Sequence, residues 1–260
     1  MRAVVILAAW IFSVSFLFSQ FYSGSIPEKT YSDPFDILPF WVSNPLNLKN
    51  FDKINLTGIV SPSRFLVKDL NSVGTCVGFP LPLNFKSSLS LTYIGSPKFF
   101  YSQAGLSLQK EFFDKFNFAS SFYANFFTIT SFGYKTYPNI NIYLEYLPVS
   151  ILRFSFKYKN LFEFNQLENS ITGFGCLLEL KDICALGLDC NIILSHYTSY
   201  SFNVEFVPFE NFCFDAVIST LPQTMSFSLG YKVGNFIFSY HFHYHYYLGP
   251  SQAFCFSNEF

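Results

Sequence analysis

A segment near the C-terminus, Asn235 to Tyr246, carries a large aromatic ring at almost every second position. Its rings are Phe236, Phe238, Tyr240, Phe242, Tyr244 and Tyr246, and the positions between them hold Ile237, Ser239, His241, His243 and His245. A period of two predicts a β-strand, because successive side chains leave opposite faces of a pleated backbone. Six rings on one face need an apolar cover, since an exposed patch of this size would bind other apolar surfaces. The cover is either a protein core or the hydrocarbon of a membrane.

The composition indicates a chain that avoids water. Its 260 residues include 37 Phe and 17 Tyr, and 13% are charged, where about a quarter is usual in globular proteins. The net charge is -1, and no block of Lys or Arg forms a basic patch, which argues against nucleic acid as a partner.

The N-terminus has the pattern of an export signal. After Arg2 the chain has no charge until Glu28, and we predict a signal peptide over residues 1–19 with an uncertain cleavage site. A retained membrane anchor is the alternative. Beyond this segment no run of about 18 apolar residues recurs, which excludes a helical membrane bundle.

Residues 20–53 form an irregular segment, because prolines interrupt it at Pro27, Pro34, Pro39 and Pro45 and forbid a long helix or a central strand. From residue 54 onward, short stretches of alternation and turn signals repeat. They predict fourteen strands, over residues 54–60, 72–79, 84–94, 102–110, 115–126, 139–147, 152–159, 171–180, 185–195, 199–206, 211–219, 224–233, 235–246 and 252–260.

These strands favour an all-β fold, a closed antiparallel transmembrane β-barrel over residues 54–260. A sandwich needs a core of mixed, interlocking side chains, whereas lipid covers a band of Phe and Tyr without a matching shape. A tilted strand of about ten residues crosses the apolar band of an outer-membrane barrel, about 25 Å. An even strand number lets the first strand pair with the last, which leaves no edge in lipid.

The connections add a second sign of a barrel, because short and long ones alternate along the chain. We predict short turns on one side and longer loops on the other, over Ser61–Asn71, Thr128–Pro138 and Lys159–Ser170.

Charged residues fall almost entirely on the polar face of the predicted strands, and only Lys110, at a strand end, falls on the apolar face. The side chains that we predict to line the lumen are Glu145, Arg153, Lys157, Glu179, Asp189, Glu205, Asp215, Lys232, His241, His243 and His245. The charged ones form either a selectivity path or a structural ionic network.

Chemistry other than transport has little support in the sequence. His241, His243 and His245 share one strand face and could place two imidazoles on a metal ion, but they fit equally as polar lumen residues, and we assign no metal and no cofactor. The chain has no nucleophile elbow, phosphate loop or zinc-protease motif, so we predict that it is not an enzyme. The six cysteines form no C-x-x-C pair, and an even number of cysteines in an exported protein allows disulfides. Cys176 and Cys190 lie in phase with apolar neighbours, where a thiol serves as a small apolar side chain.

Three stretches suggest a family: Asn44-Pro45-Leu46, the strand Ala104–Leu108 with the short turn to Lys115-Phe116, and the ending Tyr240–Phe260 with His245, Leu248-Gly249 and Ser251. The chain resembles the fourteen-stranded outer-membrane proteins similar to long-chain fatty-acid transporters, especially PorV/PorQ-like relatives. Those proteins carry an Asn-Pro-Ala box folded into the barrel mouth, and Leu46 departs from it.

The barrel and the resemblance together lead to two functional hypotheses. The first is a bacterial outer-membrane transporter or channel for small hydrophobic solutes, with residues 20–53 as a plug seated near Asn44 and Pro45. The second is a non-conducting barrel that binds other envelope proteins, as a subunit or cargo shuttle of a secretion or cell-surface machine. Membrane lipid is the expected partner in both.

Overall fold

The computed structural model describes residues 45–50, 52–62, 70–96, 99–113, 115–129, 133–161, 170–180, 183–193, 197–209, 211–221 and 223–260. The predicted signal peptide and Asn44 lie outside these residues. Of the predicted plug, the structure describes residues 45–50, 52 and 53.

Fourteen antiparallel strands close into a barrel, which confirms the predicted fold class and strand number. Each strand pairs with its neighbours in sequence, and β1 pairs with β14. The strands are β1 (Asn55–Ser61), β2 (Asn71–Leu81), β3 (Phe85–Ser96), β4 (Phe99–Phe112), β5 (Phe116–Ile129), β6 (Gly133–Val149), β7 (Leu152–Lys159), β8 (Ile171–Leu180), β9 (Cys184–Ile193), β10 (Tyr197–Phe209), β11 (Phe212–Ser219), β12 (Thr224–Val233), β13 (Phe236–His245) and β14 (Gly249–Glu259).

Two short 3-10 helices accompany the strands. One covers Pro45–Asn50 and precedes β1, and the other covers Pro82–Asn84 and connects β2 to β3. No helix in the described ranges is long and apolar enough to cross a membrane.

The aromatic strand β13 shows how the wall is built. Phe238 points outward and is 50% exposed, while His243 points inward and is 2% exposed. The same alternation runs around the barrel, so that Leu, Phe and Tyr side chains cover the outer wall and Ser, Asn and charged side chains are buried inside. A polar interior behind an apolar exterior is stable only when hydrocarbon surrounds it. The molecule is therefore a membrane barrel.

The two ends of the barrel differ. At the end where β1 begins, which we call the short-turn end, the connections are residues 82–84, 113–115, 150–151, 181–183, 210–211 and 234–235. The opposite end, which we call the loop end, has the long connections 62–70 and 160–170.

The predicted long loop over Thr128–Pro138 is wrong. Strand β5 continues to Ile129 and β6 begins at Gly133, so that Phe126 pairs with Thr136 and Phe127 with Lys135. Aromatic and β-branched residues have high strand propensity, and here they extend the hairpin beyond the alternating pattern.

Lys110, the one charged residue predicted on the apolar face, keeps its ammonium among aromatic rings. Its Nζ lies 4.2 Å from the ring centroid of Phe85 and 5.5 Å from that of Phe112. Because the residue lies near the short-turn end of β4, its stem can follow the apolar wall while cation–π contacts hold the charge.

Candidate functional site inside the barrel

A chain of polar contacts crosses five neighbouring strands on the inner wall, near the short-turn end. We call it the polar belt; its members are Gln109, Asn117, Glu145, Arg153 and Glu179. Gln109 Nε2 donates to Asn117 Oδ1 (3.3 Å), and Asn117 Nδ2 donates to Glu145 Oε1 (2.7 Å). Arg153 Nη2 lies 2.6 Å from Glu179 Oε1, and its Nη1 lies 3.9 Å from Glu145 Oε2.

The polar belt places one positive charge between two negative charges inside the wall. Arg153 and Glu145 are buried, and buried ions are tolerated when partners compensate for lost hydration. One guanidinium shared by two carboxylates gives the belt a net negative charge, with the position of each group fixed by its neighbours.

Lys157 crosses one strand to reach its partner. Its Nζ lies 3.6 Å from Asp189 Oδ2, although β8 separates β7 from β9. Between them lies Gly173, the register partner of Lys157, and a Cβ on this glycine would stand 2.4 Å from Lys157 Cε. The absence of a side chain at Gly173 therefore lets the lysine stem lie across β8.

Beside the polar belt the inner wall carries an apolar cluster, which we call the Leu46 seat. Leu46 of the first 3-10 helix is fully buried and belongs to one cluster with Ala119, Tyr143, Leu177 and Ala185. The four wall residues of this cluster lie on β5, β6, β8 and β9, in that order. The first three each lie two positions along the strand from a residue of the polar belt. Pro45 is also buried, so the chain before β1 enters the interior of the barrel at this level.

A second apolar cluster lies at the loop end, and we call it the mouth cluster. Ile94 and Tyr101 are buried there, with Leu70, Phe99 and Phe127 packed against them. The rings of Phe99 and Phe127 meet edge to face, with centroids 5.3 Å apart. The cluster occupies inward positions of β3, β4 and β5, so it interrupts a wall that is otherwise mostly polar.

Two predicted lumen residues, Glu205 and Asp215, are register partners on β10 and β11. Cys213 Sγ donates to Glu205 Oε1 (3.3 Å), and Ser228 Oγ donates to Asp215 Oδ2 (3.5 Å). Both carboxyl groups are buried. The inner wall therefore places two acidic groups side by side at a position remote from Arg153 and Lys157 along the sheet.

The three histidines of β13 point inward, and two of them form different hydrogen bonds. His241 Nε2 lies 2.9 Å from Ser239 Oγ, and His245 Nδ1 accepts the backbone N–H groups of Tyr247 (3.1 Å) and Leu248 (3.2 Å). His245 thereby orders the turn between β13 and β14. In the parts of the chain that the structure describes, no group of three or more His, Cys, Asp or Glu is placed to hold a metal ion.

Every predicted lumen residue lies on the inner wall, but the structure distributes these residues over separate groups. Glu145, Arg153 and Glu179 join the polar belt, Lys157 joins Asp189, and Lys232 Nζ lies 3.8 Å from Glu259 Oε2 near the short-turn end. Sequence reasoning missed Gln109, Asn117 and Gly173, because their roles depend on strand register. It missed the role of Leu46 as well, which depends on where the irregular segment meets the wall. None of the six cysteines forms a disulfide, and all six lie within the described residues.

Neither a family model nor a curated protein matches the chain. Solved structures do. A protein described as the CymD monoaromatic hydrocarbon channel superposes with a TM-score of 0.61 at 12% identity, covering 87% of this chain and 94% of that one. The outer membrane protein Omp33 of Acinetobacter baumannii superposes with a TM-score of 0.57 at 7% identity, covering 80% of this chain and 98% of that one. At these identities the likeness shows a shared barrel fold.

Proposed function

We propose that this protein is a channel of the bacterial outer membrane that transports small hydrophobic solutes. The observation that carries the proposal is that apolar clusters interrupt a largely polar inner wall, among them the mouth cluster at the loop end and the Leu46 seat nearer the short-turn end. A solute with an apolar body would find one apolar contact where it enters and a second one further along. Polar side chains between them would keep its residence short.

The same interior supports a plug formed by residues 20–53. Leu46 and Leu48 are fully buried and Pro45 is buried, and the 3-10 helix that carries them packs against β3, β4, β5 and β6. Leu46 then occupies the place that an apolar solute would take, so that passage requires the segment to leave its seat. This use of the segment would agree with the resemblance to fatty-acid transporters and PorV/PorQ-like proteins.

The solved neighbours support a channel in general terms. CymD is described as a monoaromatic hydrocarbon channel, and we take an apolar substrate class as the proposal to test for the present chain. No contact among the described residues favours the alternative of a non-conducting barrel that binds envelope proteins.

The test is transport by the purified protein in liposomes. We expect uptake of a fluorescent fatty-acid analogue above that of protein-free liposomes, and lower uptake of a polar sugar probe of similar size. Deletion of residues 20–53 should raise the uptake of both probes, because it removes the plug. If neither probe is taken up, with or without residues 20–53, the proposed function is wrong.

Substitution of one ring of the mouth cluster tests the apolar contact. Phe127→Ser should weaken uptake of the fatty-acid analogue by removing an inward ring. Phe126→Ser is the matched control, because Phe126 directly precedes Phe127 in β5 and points outward. Equal uptake by the two variants would show that the mouth cluster takes no part in transport.

A further inference from the structure

The outer wall of the barrel carries an apolar groove near the short-turn end, across β4, β5, β6 and β7; we call it the aromatic groove. It has a volume of about 740 Å³, and its lining includes Phe112, Phe113, Phe116, Phe118, Tyr146 and Phe156. The rings of Phe116 and Tyr146 stack within it, with centroids 4.6 Å apart. A recess of this size lies in the range of small-ligand pockets. On the wall of a membrane barrel, the molecules that reach it are lipids or other membrane proteins.

One positive charge lies on the outer wall beside the aromatic groove. Lys110 points outward on β4, and its register partner on β5 is the lining residue Phe118. Its Nζ lies 5.5 Å from the ring centroid of Phe112, which is a second lining residue. Among the described strand residues, Lys110 is the one charged side chain in the outward phase. The groove therefore combines an apolar surface with a single cation at its border.

The Lys110 ammonium group has no anionic partner in the described part of the chain, because the ion pairs there involve other lysines and Arg153. Glu111, the next residue of β4, is in the inward phase of the strand, on the other side of the wall. Ring faces attract the charge of Lys110, but an ammonium group has three N–H donors that need acceptors. On a lipid-facing wall, a headgroup oxygen atom is the acceptor within reach.

The turn between β4 and β5 brings a second cation to the groove. Lys115 is exposed and lies between the lining residues Phe113 and Phe116 along the chain. Phe113 is 89% exposed, and its φ of 54° is unusual for a bulky residue. The turn thus presents an apolar ring and a positive charge at the end of the strands, where hydrocarbon gives way to lipid headgroups.

We propose that the aromatic groove binds a phospholipid with a net negative headgroup, from the membrane leaflet at the short-turn end. An acyl chain lies on the rings, and a phosphate oxygen accepts a hydrogen bond from Lys110, with Lys115 nearer the membrane surface. A zwitterionic phospholipid fits less well, because its own ammonium group competes with Lys110 for the phosphate. Short turns face the periplasm in outer-membrane barrels, which assigns the site to the periplasmic leaflet. The site lies outside the lumen and does not depend on the proposed transport.

The test is quenching of tryptophan fluorescence by phospholipids with brominated acyl chains. The full chain carries Trp10→Phe and Trp41→Phe, which remove its two natural tryptophans, and Phe118→Trp places a reporter in the groove. The protein is reconstituted in phosphatidylcholine vesicles with rising fractions of brominated phosphatidylglycerol or brominated phosphatidylethanolamine. We expect phosphatidylglycerol to bind at least about fivefold more strongly, the factor for one basic residue near an anionic lipid surface.

Two controls separate the site from general effects of charge and depth. Lys110→Gln should lower the binding ratio by about fivefold, whereas Lys232→Gln should retain it, because Lys232 is an inner-wall lysine near the same end. A reporter at Phe238→Trp controls for depth, since Phe238 lies two positions into β13 as Phe118 does in β5. It should report equal binding of the two lipids.

The other outcomes would overturn the proposal in different ways. Equal binding of the two lipids at the groove, or a preference that survives Lys110→Gln, would leave the groove an unselective contact with membrane lipid. Quenching of the Phe238→Trp reporter without quenching at the groove would show that protein, such as a second copy of the chain, covers it. If Phe118→Trp does not fold, Phe156→Trp places the reporter in the same groove. A protein that prefers phosphatidylglycerol here but neither conducts nor transports would refute the proposed function and leave the lipid site intact.

Discussion

At the scale of single residues, Gly173 shows how a position without a side chain makes room for an ion pair between two other strands. The Lys157 stem lies where a Cβ on Gly173 would be, and the lysine reaches Asp189 on the strand beyond. The alternation of β8 predicts only that position 173 faces inward. That the position must be empty follows from the pairing of three strands.

We predict that Gly173→Val destabilises the barrel by about 1–3 kcal/mol, the usual effect of inserting methyl groups into a packed interior. The branched side chain would displace Lys157 and leave Asp189 without its ion pair. The measurement is denaturant unfolding in detergent or lipid. Gly58→Val is the control, because no atom lies within 4 Å of a Cβ at Gly58; an equal loss in both variants would contradict the packing argument.

Arg153 is the second residue with a testable role, because it connects two carboxylates. We predict that Arg153→Ala costs about 3–5 kcal/mol, the range measured when one partner of a buried ion pair is removed. Glu145 and Glu179 would both lose the cation that they share. Lys232→Ala should cost at most about 1 kcal/mol, because Lys232 and Glu259 are partly exposed. Similar unfolding free energies for both variants would show that the polar belt does not depend on Arg153.

At the scale of elements, the 3-10 helix over Pro45–Asn50 reaches the inner wall, as the described residues before β1 show. Its two leucines, Leu46 and Leu48, are fully buried, and Leu46 belongs to an apolar cluster to which four strands contribute. The proposed plug therefore depends on apolar side chains of this helix more than on the polar residues around them.

We predict that Leu46→Ala weakens the hold of this helix by about 2–4 kcal/mol, the cost of truncating a buried leucine. The readout is single-channel conductance, which should rise in amplitude or in open time because the segment leaves its seat more often. Leu83→Ala, at an exposed turn leucine, should leave conductance as it is. A Leu46→Ala protein with unchanged conductance would speak against the plug.

The sequence predicts the elements better than it predicts their contacts. Period-two alternation identifies all fourteen strands and the orientation of residues such as Phe238 and His243. It does so because the outer face of each strand lies in an apolar environment and the inner face in a polar one. It does not give the ends of β5 and β6, where aromatic residues sustain pairing without alternation. Nor does it give the polar belt, since the contact of Asn117 with Glu145 depends on register between strands.

At the scale of the whole molecule, the aromatic outer wall fixes how the barrel lies in a membrane. Tyr240 is near the middle of β13 and Tyr246 lies just beyond its loop end. A charged side chain on a lipid-facing strand costs most at the centre of the bilayer and little near its surface.

We predict that Tyr240→Arg destabilises the barrel by about 2–4 kcal/mol and Tyr246→Arg by at most about 1 kcal/mol. The measurement is the free energy of unfolding from lipid vesicles in denaturant. Tyr240→Leu corrects for loss of the ring, since leucine is apolar and suits the same depth. Equal costs of arginine at the two positions would mean that β13 does not span the hydrocarbon.

The pairing of β1 with β14 joins residues about two hundred positions apart, as in the contact of Thr57 with Ser257. The first strand, β1, therefore pairs with β2 on one side and cannot pair on its other side until β14 has been synthesised. A nascent chain without residues 249–259 would present two bare edges to the solvent, and each is a site for aggregation. Closure of the wall therefore requires the complete span from residue 55 to residue 259, because loss of either terminal strand leaves two edges without a neighbour.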